Sequence, residues 1–145
     1  MRVWVAALAL VAAGCASRPV NPYPATYTLP GTVGQVMMGQ AMSGQLSLGD
    51  PRLPDNSVYQ AWTYVGTRGQ RIQIDVVSTA FDAYAMLENA SGKVLIHDDD
   101  SGGGTNARVV FTLPAAGAYR IVVNTYRQGA YGPYTLTVRE VAGGK

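Results

Sequence analysis

From about residue 41 to residue 140, hydrophobic and polar residues alternate in short segments separated by glycine, proline, asparagine and aspartate. The alternation is cleanest in RIQIDVVS, where Ile72, Ile74 and Val76 are separated by polar residues. A period of two residues is that of a β-strand with one buried face. About eight segments have this character: AMSGQLSLGD, VYQAWTYVG, RIQIDVVS, AYAMLEN, KVLIHD, ARVVFTL, AYRIVVN and PYTLTVRE.

The segments between these strands show no helical period. The pattern therefore predicts an all-β fold, an antiparallel β-sandwich or barrel rather than βαβ units. Alternation also predicts which residues face inward. We expect one core between two sheets, formed by Ile72, Ile74, Val76, Phe111, Ile121, Val123 and Leu136.

The composition fits one such domain. Of the 145 residues, 48% are hydrophobic and 14% are charged. The chain can therefore bury enough apolar surface to fold, and it is too short for two domains of ordinary size. The net charge is only +2 and the basic residues are scattered singly. Nucleic-acid binding requires a concentrated basic surface, so this class of function is excluded.

The N-terminus has the pattern of an export signal. Arg2 precedes the apolar run Val3–Ala13, which is too short to cross a bilayer as a helix but matches the hydrophobic region of a signal peptide. The run ends in AAGC, which resembles a bacterial lipoprotein signal with Cys15 as the lipidated residue. Cys15 is the only cysteine, so it cannot form an intrachain disulfide. Ordinary secretion with cleavage near Cys15 is the alternative.

These features predict the organisation of the chain. Residues 1–14 are expected to be a lipoprotein signal peptide, and Cys15 to anchor the protein in a lipid bilayer of the cell envelope. Ala16, the residue after the cysteine, favours the outer membrane, facing the periplasm or the surface. Residues 15–40 contain four prolines and are predicted to be an extended tether. The β-sandwich is assigned to residues 41–140 and a tail to residues 141–145.

The segments from Gly44 to Val138 resemble a known family when they are taken in order. They are GQLSLGD, YQAWTYVGTRGQRIQIDV, the FD pair before AYAMLEN, the acid-rich loop, PAAGAY and YTLTV. This ordered set resembles the bacterial pre-peptidase C-terminal domain, a small β-sandwich of jelly-roll type. The resemblance implies a non-catalytic domain that usually accompanies a secreted peptidase. It also implies that binding of calcium, of extracellular protein or of polysaccharide is to be expected in some members.

The loop HDDDSGGGTN places three acidic residues before three glycines. The loop fails the EF-hand pattern, because Val109 stands at the twelfth position, where a glutamate is required. Calcium nevertheless prefers six to eight oxygen ligands. We predict a calcium site formed by Asp98, Asp99 and Asp100, and the resemblance adds Asp82, from the FD pair, as the remote ligand. A solvated acidic turn is the alternative.

Few residues in the chain could perform catalysis. His97 is the only histidine, no Gly-x-Ser-x-Gly motif is present, and no Gly-Lys-Ser/Thr follows the glycines. We therefore predict a protein that is not an enzyme. The loop NTYRQGAYG is the better candidate for function, because Tyr126, Arg127 and Tyr131 are residue types enriched at binding hot spots.

The resulting expectation is a non-catalytic, membrane-tethered extracytoplasmic lipoprotein. It would act as a binding or assembly module for an envelope protein or a glycan, with calcium as its candidate cofactor. Two alternatives remain open at this stage: an accessory domain of a secreted peptidase or other hydrolase system, and a weak enzyme.

Overall fold

The computed structural model describes residues 28–143, so the predicted signal peptide, Cys15 and Ala16 lie outside the described residues. Every regular element in the described part is a β-strand. The nine strands are β1 (Gly34–Gln35), β2 (Ala41–Leu46), β3 (Tyr59–Gly66), β4 (Arg71–Val77), β5 (Ala83–Asn89), β6 (Val94–Asp98), β7 (Ala107–Thr112), β8 (Gly117–Thr125) and β9 (Gly132–Glu140). Residues 28–143 include no helix of the length and hydropathy needed to span a membrane.

The strands form two sheets that pack face to face. The five-stranded sheet has the order β1-β3-β8-β5-β6, and the four-stranded sheet has the order β2-β9-β4-β7. All neighbours are antiparallel except β1 and β3. The interleaved orders 2-9-4-7 and 3-8-5-6 are those of two Greek keys wound into a jelly roll. The predicted antiparallel β-sandwich is confirmed, with β1 as one strand more than the pattern indicated.

The predicted core lies between the two sheets. Six of its seven residues are fully buried: Ile72, Ile74, Val76, Ile121, Val123 and Leu136. Phe111 is only partly buried and packs against the core. It lies in β7, the last strand of its sheet, where one flank has no neighbouring strand to cover it.

The predicted tether is wrong in its last part. Leu29 and Val36 are buried, and β1 pairs in parallel with β3, so the domain begins before the expected boundary at residue 41. The reason is that β3 would otherwise be an edge strand, and this short segment satisfies its free carbonyl groups. Val33 N donates to Ala61 O at 2.8 Å and Val36 N donates to Thr63 O at 2.9 Å.

One tyrosine links the two sheets at the β2 edge. The ring of Tyr134, in β9, lies so close to Gly44, in β2, that a Cβ there would be 2.1 Å from its Cζ. The Tyr134 hydroxyl accepts a hydrogen bond from Trp62 Nε1 at 2.7 Å and donates one to Gln60 Oε1 at 2.8 Å, both in β3. Burial raises the pKa of Tyr134 to about 12. Gly44 in β2 is therefore required, because the ring of Tyr134 in β9 passes over it.

Candidate functional site

The acidic loop connects β6 to β7, and Asp98 holds its two ends together. Asp98 Oδ2 accepts hydrogen bonds from Ser101 N at 3.0 Å and from Arg108 N at 2.9 Å, while its Oδ1 accepts one from Ser101 Oγ at 2.5 Å. Partial burial alone would raise the pKa of Asp98, but these hydrogen bonds outweigh it and lower the pKa. Asp98 is thus an ionised carboxylate whose acceptor positions are largely occupied by the turn itself.

The glycines of the loop have conformational reasons to be there. Gly103 and Gly104 have φ angles of 96° and 61°, in the left-handed region that residues with a Cβ rarely adopt. At Gly102, a Cβ would lie 2.6 Å from the carbonyl oxygen of Asn106, because the backbone doubles back on itself there. The run SGGG therefore makes a tight turn, and this turn accounts for its composition without a bound phosphate.

Asp82 comes close to this loop, as the predicted site required. The residue after Asp82 is Ala83, and its amide donates a hydrogen bond to Thr105 O at 2.9 Å. This bond places the connection between β4 and β5 beside the acidic loop. Asp82 Oδ1 is buried and has no hydrogen-bond partner among residues 28–143. The pKa of Asp100 is raised by lost hydration and by the neighbouring charges of Asp99, Asp82 and Asp98. Asp100 thus lies close enough to Asp99, Asp82 and Asp98 to be repelled by their charges.

The residues fit a calcium ion only in part. A carboxylate oxygen of Asp82 without a partner among the described residues, and the repulsion of Asp100 by the other three acids, favour a cation. Against this, no three His, Cys, Asp or Glu side chains within residues 28–143 converge as a metal-holding group. Asp98 is committed to the turn, and Asp99 Oδ1 accepts a hydrogen bond from Asp100 N. The calcium site therefore stays a prediction, for which Asp82, Asp99 and Asp100 supply the carboxylate oxygens that the turn leaves available.

His97 is next to the acidic loop but forms an aromatic pair. Its Nδ1 lies 2.7 Å from the hydroxyl of Tyr84, and the two rings are stacked with centroids 5.5 Å apart at 18°. The residue is exposed at the end of β6. A catalytic triad would need His97 to contact a nucleophile and an orienting carboxylate. Its hydrogen-bonding partner among the described residues is instead a tyrosine whose pKa is raised by partial burial and by Asp99 and Asp98.

Tyr84 and Tyr126 form one wall of a groove on the outer face of the five-stranded sheet, which we call the tyrosine groove. Their ring centroids are 6.4 Å apart, and Tyr126 is 57% exposed. The groove has a volume of about 410 Å³ and is lined by Leu53, Pro54, Asp55, Tyr84, Met86, Asn124 and Tyr126. It is mostly apolar with a few polar groups, as small-ligand and peptide sites commonly are.

The tyrosine groove includes one of the three residues predicted to bind a partner. Tyr126 lines it, whereas Arg127 and Tyr131 are exposed in the β8–β9 loop and are not among its lining residues. Tyr84 and Met86 were not among the predicted binding residues, although both stand at alternating positions of the predicted strand AYAMLEN. Two large side chains on the face opposite the core were the available signal.

No family model matches this chain. A probable subtilase-type serine protease of Deinococcus radiodurans is 30% identical over 112 residues, which are 74% of this chain. The chain spans only 14% of the length of that relative.

Two solved structures share the fold. The pre-peptidase C-terminal domain of a collagenase from Bacillus anthracis has a TM-score of 0.52 at 19% identity, with 70% of this chain and 89% of that chain covered. Aeromonas hydrophila PliG, a periplasmic inhibitor of g-type lysozyme, has a TM-score of 0.51 at 17% identity, with 70% and 85% covered. The chain thus has a pre-peptidase C-terminal-like fold, which confirms at the level of the fold the resemblance found in the sequence.

Proposed function

We propose that this protein is an exported, non-catalytic accessory domain that binds a partner in the tyrosine groove. The observation that carries the proposal is the groove itself: two tyrosines, a methionine, a leucine and a proline line a concave surface outside the core. Tyrosine provides a large contact area at a low cost in conformational entropy. An apolar surface of this kind on a small domain is more typical of a binding site than of a solvated face.

The comparisons support an accessory role. The chain is similar to a small part of a probable subtilase-type serine protease and shares its fold with the pre-peptidase C-terminal domain of a collagenase. It also shares the fold with a periplasmic inhibitor of g-type lysozyme. Export and a non-catalytic role agree with the signal-like N-terminus and with the pairing of His97 with Tyr84.

The anchoring of the protein is a separate part of the proposal. Lipid chains on Cys15 would hold the domain in the cell envelope, at the outer membrane facing the periplasm or the surface, because each buried CH₂ contributes about 0.8 kcal/mol. Replacing Cys15 by serine is expected to move the protein from the membrane fraction to the soluble fraction or to block its maturation. Recovery of a normally processed Cys15→Ser protein in the membrane fraction would contradict lipid anchoring. It would not bear on the proposed binding of a partner in the tyrosine groove.

Photocrosslinking in cells that produce the protein tests the groove. A photoreactive amino acid is placed at Tyr126 and, as a matched exposed control, at Thr112 in β7 on the other sheet. We expect a discrete adduct from position 126 that is absent from position 112 and is lost when Tyr84 is changed to alanine. Equal adducts at both positions, or none at 126, would reject the groove as the contact surface.

The same experiment separates the two classes of partner. The similarity to a protease chain favours a secreted peptidase or other hydrolase as the adduct. An envelope protein or a glycan is the other outcome and corresponds to an assembly module. A weak enzyme would have to use a site without histidine, so hydrolysis by the purified protein that persists in His97→Gln would support that alternative and contradict a non-catalytic role.

A further inference from the structure

The described chain begins on the same face of the molecule as the tyrosine groove. Leu29 N donates to Thr63 Oγ1 at 2.7 Å, and Pro30 O accepts a hydrogen bond from Arg120 Nη2 at 2.8 Å. Thr63 and Arg120 are paired residues of β3 and β8 whose side chains point away from the core. Residues 29–30 therefore lie across the outer face of the five-stranded sheet.

The groove is a short distance from this point along the sheet. Arg120 is paired with Glu88 of β5, and the next pairs on the same face are Val122 with Met86 and Asn124 with Tyr84. Two strand spacings and two to four residues along the strands separate Thr63 from the groove, which corresponds to about 15 Å. A chain in extended conformation covers this distance with about five residues.

The segment that precedes Leu29 matches the groove chemically. Residues 18–24 read RPVNPYP, with three prolines around Tyr23. Proline-rich segments favour the extended polyproline conformation, and proteins recognise it in grooves lined by aromatic side chains, with little loss of entropy on binding. Asp55, which lines the groove, provides a negative charge for Arg18. Pro24 is five residues before Leu29, within the required reach.

We propose that residues 18–24 of the chain bind in the tyrosine groove of the same molecule and compete there with the external partner. The inference rests on the proposed function, because the groove is the same binding site. Binding in cis benefits from an effective concentration in the millimolar range for a short connection, so even a weak intrinsic affinity suffices.

Methionine methyl resonances report on this contact. The mature chain is made with Cys15→Ser to keep it soluble, and is compared with a variant in which Pro19, Pro22, Tyr23 and Pro24 are all alanine. Met86 lines the groove, whereas Met37 and Met38 are exposed between β1 and β2 and serve as internal controls. We expect the Met86 resonance to differ between the two proteins while those of Met37 and Met38 coincide.

A peptide with the sequence of residues 16–27 completes the test. Added to the alanine variant, it is expected to return the Met86 resonance toward its wild-type position at about millimolar concentration, and to have no effect when Tyr126 is also alanine. Coincident Met86 resonances in wild type and variant overturn the proposal. So does a Met86 shift that grows with protein concentration, since the segment would then bind a second copy.

The outcome is distinguishable from failure of the proposed function. If the segment binds in cis, crosslinking of an external partner from position 126 is expected to increase in the alanine variant. A Met86 response with no external adduct in either protein would reject the partner-binding function and retain the contact in cis. An external adduct that is unchanged by the alanine substitutions would retain the function and reject the competition.

Discussion

The outer faces of the two sheets differ in what covers them. On the five-stranded sheet, Ala61, Thr63 and Val122 point away from the core and yet are at most 2% exposed. The chain before β1 and the loop before β3 contribute to this cover. In the first segment Leu29 N donates a hydrogen bond to Thr63 Oγ1, and in the second Ser57 Oγ accepts one from Asn124 Nδ2 at 2.8 Å.

The four-stranded sheet instead presents a polar outer face. Asp75 Oδ1 accepts a hydrogen bond from Arg108 Nε at 2.6 Å, and Asp75 Oδ2 accepts one from Gln73 Nε2 at 2.7 Å and lies 4.0 Å from Arg139 Nε. Polar side chains on one face are usual for an antiparallel sheet whose second face is solvated. The five-stranded sheet therefore carries a partial third layer, and the tyrosine groove lies in the part of its outer face that stays open. A binding surface is expected where such a layer is incomplete.

The largest effect should come from placing a charge under the third layer. Val122→Asp buries an unpaired carboxylate on the outer face of the five-stranded sheet and is expected to lower the free energy of unfolding by about 3–5 kcal/mol. Val77→Asp is the matched control, since Val77 is 45% exposed on the outer face of the other sheet. It should cost less than about 1 kcal/mol. Urea unfolding of both variants gives the comparison, and equal losses would show that the two faces do not differ.

The two faces also differ in how far the sequence could predict them. Alternation placed Ile72, Ile121 and Leu136 in the core because the inner faces of both sheets have a period of two. The segments VYQAWTYVG and AYRIVVN are apolar on both sides, which indicates a strand covered on both faces. The pattern does not say which segment supplies the second cover, and the predicted tether therefore extended too far. The tyrosine groove was not predicted, because its lining residues come from three separate regions of the chain, around residues 54, 85 and 125.

The acidic loop shows a second limit of prediction from the sequence. Its composition predicted a calcium site, with a solvated turn as the alternative, and the resemblance to a family placed Asp82 near it. The three adjacent aspartates look equivalent in the sequence, whereas in the structure Asp98 closes the turn and Asp100 is free of that role. Such a division of roles depends on where Ser101 N and Arg108 N point, and backbone geometry of this kind has no signal in the pattern.

The next largest effect tests whether Asp98, and not its neighbour Asp99, holds the acidic loop together. Asp98→Ala leaves the amides of Ser101 and Arg108 without their acceptor and is expected to cost about 1–3 kcal/mol of stability, with or without calcium. Asp99→Ala removes only the contact with Asp100 N and should cost about 0.5 kcal/mol or less. Thermal unfolding in the presence of a chelator measures both. Similar losses in the two variants would contradict the special position of Asp98.

A smaller effect is expected from calcium. A site with a dissociation constant of about 10⁻⁴ M would add about 1.4 kcal/mol at about 1 mM calcium, which corresponds to a rise of a few degrees in the melting temperature. Asp82→Asn should abolish this rise, and Asp75→Asn, on the other sheet, should preserve it. A wild-type melting temperature that is the same in calcium and in chelator would leave the loop as a turn held by Asp98.

The last prediction concerns Tyr134, the residue that joins the two sheets, and the pH-dependent part of its effect is absent near neutral pH. Burial raises the pKa of both Tyr134 and Tyr64 to about 12, whereas an unfolded chain releases these protons near pH 10. Because the unfolded state binds fewer protons between about pH 10 and 12, the free energy of unfolding should fall as the pH rises through this window. Tyr134→Phe is expected to lower stability at pH 7, since Trp62 Nε1 loses its acceptor, and to make the alkaline fall shallower. Urea unfolding at pH 8, 9, 10 and 11 gives the two slopes, and an equal slope in both proteins would show that Tyr134 does not contribute to the alkaline loss.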